Sequence, residues 1–516
     1  MSGDGHDPYN ATVDLLERNL AKGKAERPYL RTADRVFSYG EVVARADAAG
    51  AGLLGLGLGP GDRVILATRD RPEFVMTFWG AIKAGLVPVP ISDALSSIEI
   101  GFILRDSEAD VIVCDAATAP AVVPAAEGTD ATALLVDPAP GGDVLSWNEV
   151  CGAPATLDVA ATTREDVALW LYTSGTTGEP KGAIHRHGHL ERTPGPYSVE
   201  IAGMSEDDTI LSMSKMFFAY GLGNSVYLPA AAGASVVLND APSIPGFVND
   251  LIGRTQPTML FGVPAFHAGF LRLADAKLPS TVRWVQSAGE TLSSELFTAY
   301  QDRFDLPLID GLGATEALHF ITSNRPDDVV AGSAGAPVRG WDVKVLSEDG
   351  EPVADDAPGE LWCTGPSTFA GYWRRPELTE RAYRDGWMRT GDVVRLRDGH
   401  VFHEGRFDDL MKVGGIWVAP TEVEAVLTSH PDVEDAAVVS VDEGTGVPVV
   451  KAYLIATRED GPLRQELIRL CRSRLASYKV PIRYEVVDEL PRTTTGKLRR
   501  FILRTPEGQT GGEDGR

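Results

Sequence analysis

VALWLYTSGTTGEPKGAIHRH, Val167–His187, opens as an apolar, partly β-branched run, then breaks into glycines and hydroxyls before a lone Lys181. It reads as a strand ending in a turn. The pattern recurs in DRVILAT from Asp62, DVIVCDA from Asp110, PTMLFGVP from Pro257 and VRWVQSAGE from Val282. Between such runs lie helical patterns such as PEFVMTFWGAIKAG, Pro72–Gly85, with Gly85 suited to the position just past a helix end. Strands alternating with helices predict an α/β fold with buried parallel sheets. From about Gly405 the texture changes to two short strands, a turn at Gly414 and Gly415, and a helix from Pro420, the start of a smaller α+β module. A second amphipathic helix is expected over Leu463–Tyr478.

The 516 residues carry a net charge of −25. Such an acidic balance disfavours nucleic acid as a partner. Cys114, Cys151, Cys363 and Cys471 lie far apart, which indicates neither a zinc knuckle nor a disulfide framework. No apolar run approaches the ~18 residues of a membrane helix, and MSGDGHDPYN has no secretory character, so a cytoplasmic protein without a membrane partner is expected.

In the loop after Tyr172, Gly175, Gly178 and Gly182 allow tight turning and bare backbone N–H groups, the usual surface for phosphate. Thr173, Ser174, Thr176 and Thr177 add hydroxyls, and Lys181 adds one flexible point charge. Pro180 before the lysine and Gly182 after it exclude a P-loop of the G-x-x-x-x-G-K-[ST] kind. A merely flexible turn has the same composition. His185, His187 and His189 alternate as metal ligands on a strand would, but Gly188 breaks that strand pattern and no further ligand cluster accompanies them.

The whole string resembles the phosphate-loop signature of the adenylate-forming superfamily of acyl-CoA synthetases, adenylation domains and beetle luciferases. SAGE (287–290), DGLGATE (310–316), RDGWMRTGD ending at Asp392, GRFDDLMKVGG (405–415) and PRTTTGKLRR (491–500) resemble its other motifs, in order. The resemblance implies a large N-terminal α/β domain with buried parallel sheets, 1–406, and a small mobile C-terminal α+β domain, 407–516, hinged near Asp408. A disordered tail follows from about 506.

It further implies ATP, Mg²⁺ and coenzyme A. ATP would be held by Thr173, Ser174, Gly175, Thr176, Thr177, Gly178 and Lys181, with adenine enclosed by Ala288, Gly289, Glu290, Asp310, Gly311, Leu312 and Thr315. Leu312 stands where many relatives carry tyrosine, so aliphatic packing replaces stacking. Asp392 would accept the ribose hydroxyls, with Arg406 beside it. Glu316 would hold Mg²⁺, a hard cation that needs oxygen ligands. Lys497 would stabilise charge gathering at the α-phosphate, with Glu316 and Thr173 completing the catalytic set; Arg499 and Arg500 read as a solvated basic patch. Gly414 and Gly415 would pass the pantetheine arm of CoA, although a plain hairpin turn fits them equally.

Peptide-synthetase domains hold an amino acid's ammonium with an aspartate after the phosphate loop, but the stretch from Lys215 to Leu238 has no acidic residue, which argues against amino acids. KMFFAYGLGN (215–224) and TEALHFITSNR (315–325) resemble benzoate-CoA ligases. By that resemblance Ala219, Tyr220, Ala288, Gly313, His319 and Phe320 line a slot for a small aromatic carboxylic acid, benzoate or a small relative. Phe320 replaces an aliphatic residue, and His319 is either pocket wall or contact to a ring hydroxyl. The expected activity is an aryl acid:CoA ligase acting through aroyl-AMP, as a monomer or homodimer. The alternatives are loading of a carrier-protein phosphopantetheine and a silent nucleotide-binding protein.

Overall fold

Four of the five apolar runs are buried on both faces, as the absence of polar alternation requires. In the computed structural model, which describes residues 7–137, 144–174, 180–407, 411–413, 416–441, 449–492 and 498–504, they form strands Arg63–Ala67, Val111–Cys114, Met259–Gly262 and Trp284–Ala288 of two sheets. One is wholly parallel and five-stranded, ordered Val87–Pro90, Arg63–Ala67, Val111–Cys114, Thr132–Leu135 and Leu145–Ser146. The other has nine strands, parallel from Pro28–Arg31 through Ser235–Val237, Thr209–Ser212, Met259–Gly262 and Trp284–Ala288 to Leu308–Gly313. There the direction reverses, because Phe320–Ser323 pairs antiparallel with Leu308–Gly313. The chain is thus an α/β protein.

The fifth run departs from expectation. Val167–Ser174 joins neither parallel sheet and instead pairs antiparallel with Pro180–Arg186, Thr173 opposite Lys181. The reason is connection length: only residues 175–179 separate the two strands, whereas a parallel pair needs a crossover of a dozen residues or more.

The helix Pro72–Lys83 forms as its periodicity predicts and ends at Gly85, whose φ of +77° suits glycine. Its neighbour Tyr39–Gly55 starts with a Ser38 and Glu41 capping box. The two helices approach through glycines. A Cβ on Gly80 would lie 2.3 Å from the Ala46 carbonyl oxygen, and one on Gly50 2.6 Å from that of Gly80.

The chain divides into two compact units, the first comprising Met1–Lys344, Trp362–Thr390 and Asp398–Val401, the second Val345–Leu361, Gly391–Arg397 and Phe402–Arg516. In the second, Val433–Val441 pairs antiparallel with Val449–Ala456, which pairs parallel with Arg483–Val486. The helices Pro420–Thr428 and Gly461–Arg474 contribute Val423, Leu427, Leu463, Leu467 and Cys471 to its core. The latter helix stops short of the expected Tyr478, since Leu475 is extended. The strands Met411–Val413 and Ile416–Val418 form as read, while Gly414 and Gly415, Asp408, where a hinge is expected, and the residues from about 506 lie outside the described residues.

Candidate active site

In open α/β sheets, ligands bind beyond the carboxyl ends of the strands, where backbone groups emerge and topology switches. Here Trp284–Ala288 and Leu308–Gly313 end in register, Ala288 opposite Gly311, immediately before the reversal at Phe320–Ser323. Gly289 follows with φ +89°. Asp310 and Leu312 are buried. Burial pushes the Asp310 carboxyl well above the usual carboxylate range, a hydrogen bond from Gly311 N–H opposing it.

Beside these strand ends, backbone pairing brings three side chains together, those of Lys181, Glu316 and Tyr372. Segment 370–373 runs along the free edge of Pro180–Arg186: Ala370 N donates to Ile184 O at 2.8 Å, Ile184 N to Gly371 O at 3.0 Å and Trp373 N to Gly182 O at 2.9 Å. Tyr372 is thereby set opposite Ala183. Its ring lies under the Lys181 ammonium, 3.9 Å from the centroid, and its hydroxyl donates to Glu316 Oε1. Glu316 sits in the short turn Thr315–Ala317, fastened by Phe369 N donating to Glu316 O at 2.8 Å and by His185 Nε2, 2.8 Å from Thr315 O. The other Glu316 oxygen has no hydrogen bond among the described residues, a hard, anionic donor of the type a magnesium ion takes.

Of the expected acyl residues, Tyr220, His319 and Phe320 converge. Phe320 packs edge-on against Tyr220, centroids 5.5 Å apart, and against His319 at 4.7 Å and 90°. Tyr197 closes the same box, 4.6 Å from Phe320 and 5.0 Å from His319. Small residues are required beneath these rings. A Cβ on Gly311 would lie 2.6 Å from the Phe320 ring, one on Gly313 2.4 Å from the His319 carbonyl oxygen, and one on Gly223 2.4 Å from the His319 ring. Burial pushes His319 down to about 3, so its ring is neutral, and neither nitrogen finds a partner among the described residues. Burial likewise holds Tyr197 and Tyr220 far above the usual phenol range.

In the second unit, Asp392 lies on the strand Trp387–Arg397 and accepts from Arg406 Nη1 at 2.9 Å, with His403 Nε2 at 3.4 Å. Burial alone would raise this carboxyl. The Arg406 charge, with the hydrogen bond and charge of His403, outweighs burial and holds Asp392 well below the usual range. Gly391, at φ +73°, leaves room for the guanidinium: a Cβ there would meet Arg406 Nη2 at 2.9 Å.

Gly175, Thr176, Thr177, Gly178 and Lys497, with the side chain of Ser174, lie outside the described residues. On either side of Lys497, Arg499 N donates to Pro491 O at 2.8 Å and Arg492 bridges Leu498. The expectation of a solvated Arg500 is corrected. Its side chain is 10% exposed and grips Glu424 through both carboxylate oxygens, at 2.9 and 2.7 Å. The Glu424 carboxylate draws it in, since a buried acid needs a cation. The three histidines do not form a metal cluster among the described residues. His187 and His189 lie on the helix His187–Arg192, and His187 Nδ1 accepts from Ala11 N. The one metal-like grouping there, His430, Asp432 and Glu466, is already crossed by Arg458, which pairs with both carboxylates.

Sequence reading missed Tyr372, Tyr197, Gln286 and Asn224. Gln286 is fully buried beneath the box, receiving the Tyr197 hydroxyl at 3.1 Å on its side chain and the Tyr220 hydroxyl at 3.4 Å on its backbone. Asn224 is also buried, its side chain near enough to the Tyr220 hydroxyl to oppose the effect of burial there. A lone carboxamide closing the apolar stretch AYGLGN is the signal that could have found it.

Residues 16–373 match the AMP-binding enzyme family and residues 422–497 the AMP-binding enzyme C-terminal domain. The 4-hydroxybenzoate–CoA/benzoate–CoA ligase of Rhodopseudomonas palustris is 36% identical over 511 residues, covering 96% of this chain and 94% of that protein. The benzoate–CoA ligase of Thauera aromatica is 37% identical over 506 residues, covering 96% of each. Among solved structures, an anthranilate CoA ligase in complex with anthranoyl-AMP superposes with a TM-score of 0.92 at 34% identity, covering 96% of both chains. The chain belongs to the AMP-binding, adenylate-forming enzymes, and within them it is similar to the benzoate– and hydroxybenzoate–CoA ligases.

Proposed function

We propose that the chain is an aryl acid:CoA ligase of the benzoate–CoA ligase type. The acid's carboxylate attacks the α-phosphate of ATP, forming aroyl-AMP and releasing pyrophosphate; the CoA thiol then attacks the acyl carbon, giving the thioester and AMP. What supports the reading is the aromatic box of Tyr220, His319 and Phe320 lying against Gly311, whose strand partner is Ala288. A flat ring fits such a slot, and a neutral His319 supplies no charge that would favour an ionised ring substituent.

Lys181 and Thr173, opposite each other on the hairpin, face the phosphates, and Ala288 to Glu290 with Asp310 to Leu312 enclose adenine. Asp392 accepts the ribose hydroxyls, kept ionised by Arg406. Glu316 is the residue suited to Mg²⁺, which when bound neutralises phosphate charge. Lys497, the hinge at Asp408, the CoA passage at Gly414 and Gly415, and the 1–406 and 407–516 domains belong to the same proposal.

Acid-dependent ATP–pyrophosphate exchange tests it, with benzoate, hydroxybenzoates, aminobenzoates, cinnamate, short fatty acids and α-amino acids, followed by thioester assay with CoA. Benzoates are expected to support both steps. A clear preference for fatty or amino acids would overturn the pocket assignment.

A further inference from the structure

Tyr372 joins two groups that the proposed function assigns to the same end of ATP, although they lie far apart in sequence. Its hydroxyl meets the Glu316 carboxylate and its ring meets the Lys181 ammonium. The phenol has little freedom to do otherwise. Hydrogen bonds from 370–373 to Gly182 and Ile184 fix its backbone to the strand carrying Lys181, and Tyr372 N donates to Thr379 Oγ1 at 2.9 Å beside Gly371, whose φ of +127° favours glycine. Phe369, three residues earlier, holds the backbone of Glu316 itself. One short segment therefore sets the spacing of the hairpin lysine, the phenol and the carboxylate through main-chain contacts, which do not depend on side-chain rotamers.

Tyr372 is 6% exposed, so its bond to an ionised oxygen is made largely out of water, where charge-assisted hydrogen bonds are strongest. Such a bond fixes one carboxylate oxygen and thereby the direction of the other. Partners that orient a ligating carboxylate in this way govern metal affinity without touching the metal. The ring does the same for Lys181, since an ammonium above an aromatic face is held by the ring quadrupole yet can still turn toward phosphate oxygens.

We propose that Tyr372 is a positioning residue for the triphosphate end of ATP, its hydroxyl aiming the Glu316 carboxylate and its ring holding the Lys181 ammonium beside it. This rests on the roles given above to Glu316 and Lys181.

The test is ATP binding to the full chain without acid, by calorimetry, with Mg²⁺ and with EDTA, together with the Mg²⁺ dependence of pyrophosphate exchange. Tyr372→Phe keeps the ring and loses the hydroxyl: half-saturating Mg²⁺ is expected to rise about tenfold or more, while KM for the aromatic acid moves far less. Tyr372→Leu also loses the ring and is expected to weaken ATP binding in EDTA by a further factor of about three or more. In a Glu316→Gln background, Tyr372→Phe should add almost nothing, because the two act as one unit. Should Tyr372→Phe melt far below the wild type, Tyr372→Trp, which also lacks the phenol, is read by the same criteria. Equal effects on acid and nucleotide, an unmoved Mg²⁺ requirement, or additivity with Glu316→Gln each overturn the inference. Failure of the wild type to bind ATP at all would instead overturn the proposed function.

Discussion

On the proposed function, Phe320 and the bare Cα of Gly311 beneath its ring would decide how deep an aromatic acid can enter, because the ring occupies the space a Cβ would need. Gly311→Ala brings a methyl to 2.6 Å from that ring, a contact that must be relieved by moving Phe320 or the strand. The expected result is a rise of about tenfold or more in KM for the aromatic acid and a loss of roughly 1–3 kcal/mol in stability, read by steady-state kinetics and denaturant unfolding. At this scale the sequence was legible wherever a residue works within its own motif. Tyr220, His319 and Phe320 each sat in a recognisable string, and their rings meet. Tyr372 was illegible because its partners come from other segments, and no local pattern records a hydroxyl meeting a carboxylate across 56 positions. Arg500 misled for a related reason: a basic run looks solvated until the buried Glu424 is known.

Between elements, the tightest constraint is the crossing of Tyr39–Gly55 and Pro72–Lys83 at Gly50 and Gly80. Here both backbones are in near contact, so even one methyl must force the helices apart. Gly80→Ala, normally favourable within a helix by about 1 kcal/mol, is therefore expected to destabilise by roughly 1–3 kcal/mol, measured as a lowered midpoint in urea. Apolar runs and turn residues revealed the parallel strands because burial on both faces leaves a continuous apolar signature. They could not distinguish Val167–Ser174, whose residues look the same. Its partner is decided by the short connection to Pro180–Arg186, a matter of chain length rather than composition. Residues 175–179, which the proposed function assigns to phosphate, accordingly connect the two strands of a hairpin rather than follow a strand of either parallel sheet.

For the molecule as a whole, buried histidines predict acid lability. Burial pushes His185, His187 and His267 down to about 4, His319 to about 3 and His189 to about 2. Unfolded, each would take a proton near pH ~6.5, so the unfolded chain binds more protons below that pH and stability falls as pH drops toward 4. Asp70, raised by burial to about 6, and Asp93, Asp110 and Asp310, raised by the same cause, act in the opposite sense, four groups against five histidines. Thermal melting between pH 7 and 4.5 should show a steep decline, about 1.4 kcal/mol per pH unit for each net proton; a flat profile would contradict it. The four thiols offer a different use. All are buried, Cys114, Cys151 and Cys363 in the first unit and Cys471 in the second. Burial raises the first two to about 12. In the native protein they are expected to resist alkylation, becoming reactive only when their surroundings open. Mass spectrometry of each labelled peptide against time would then serve as an intrinsic stopwatch, reporting separately when each unit of the chain comes undone, with no cysteine engineered in.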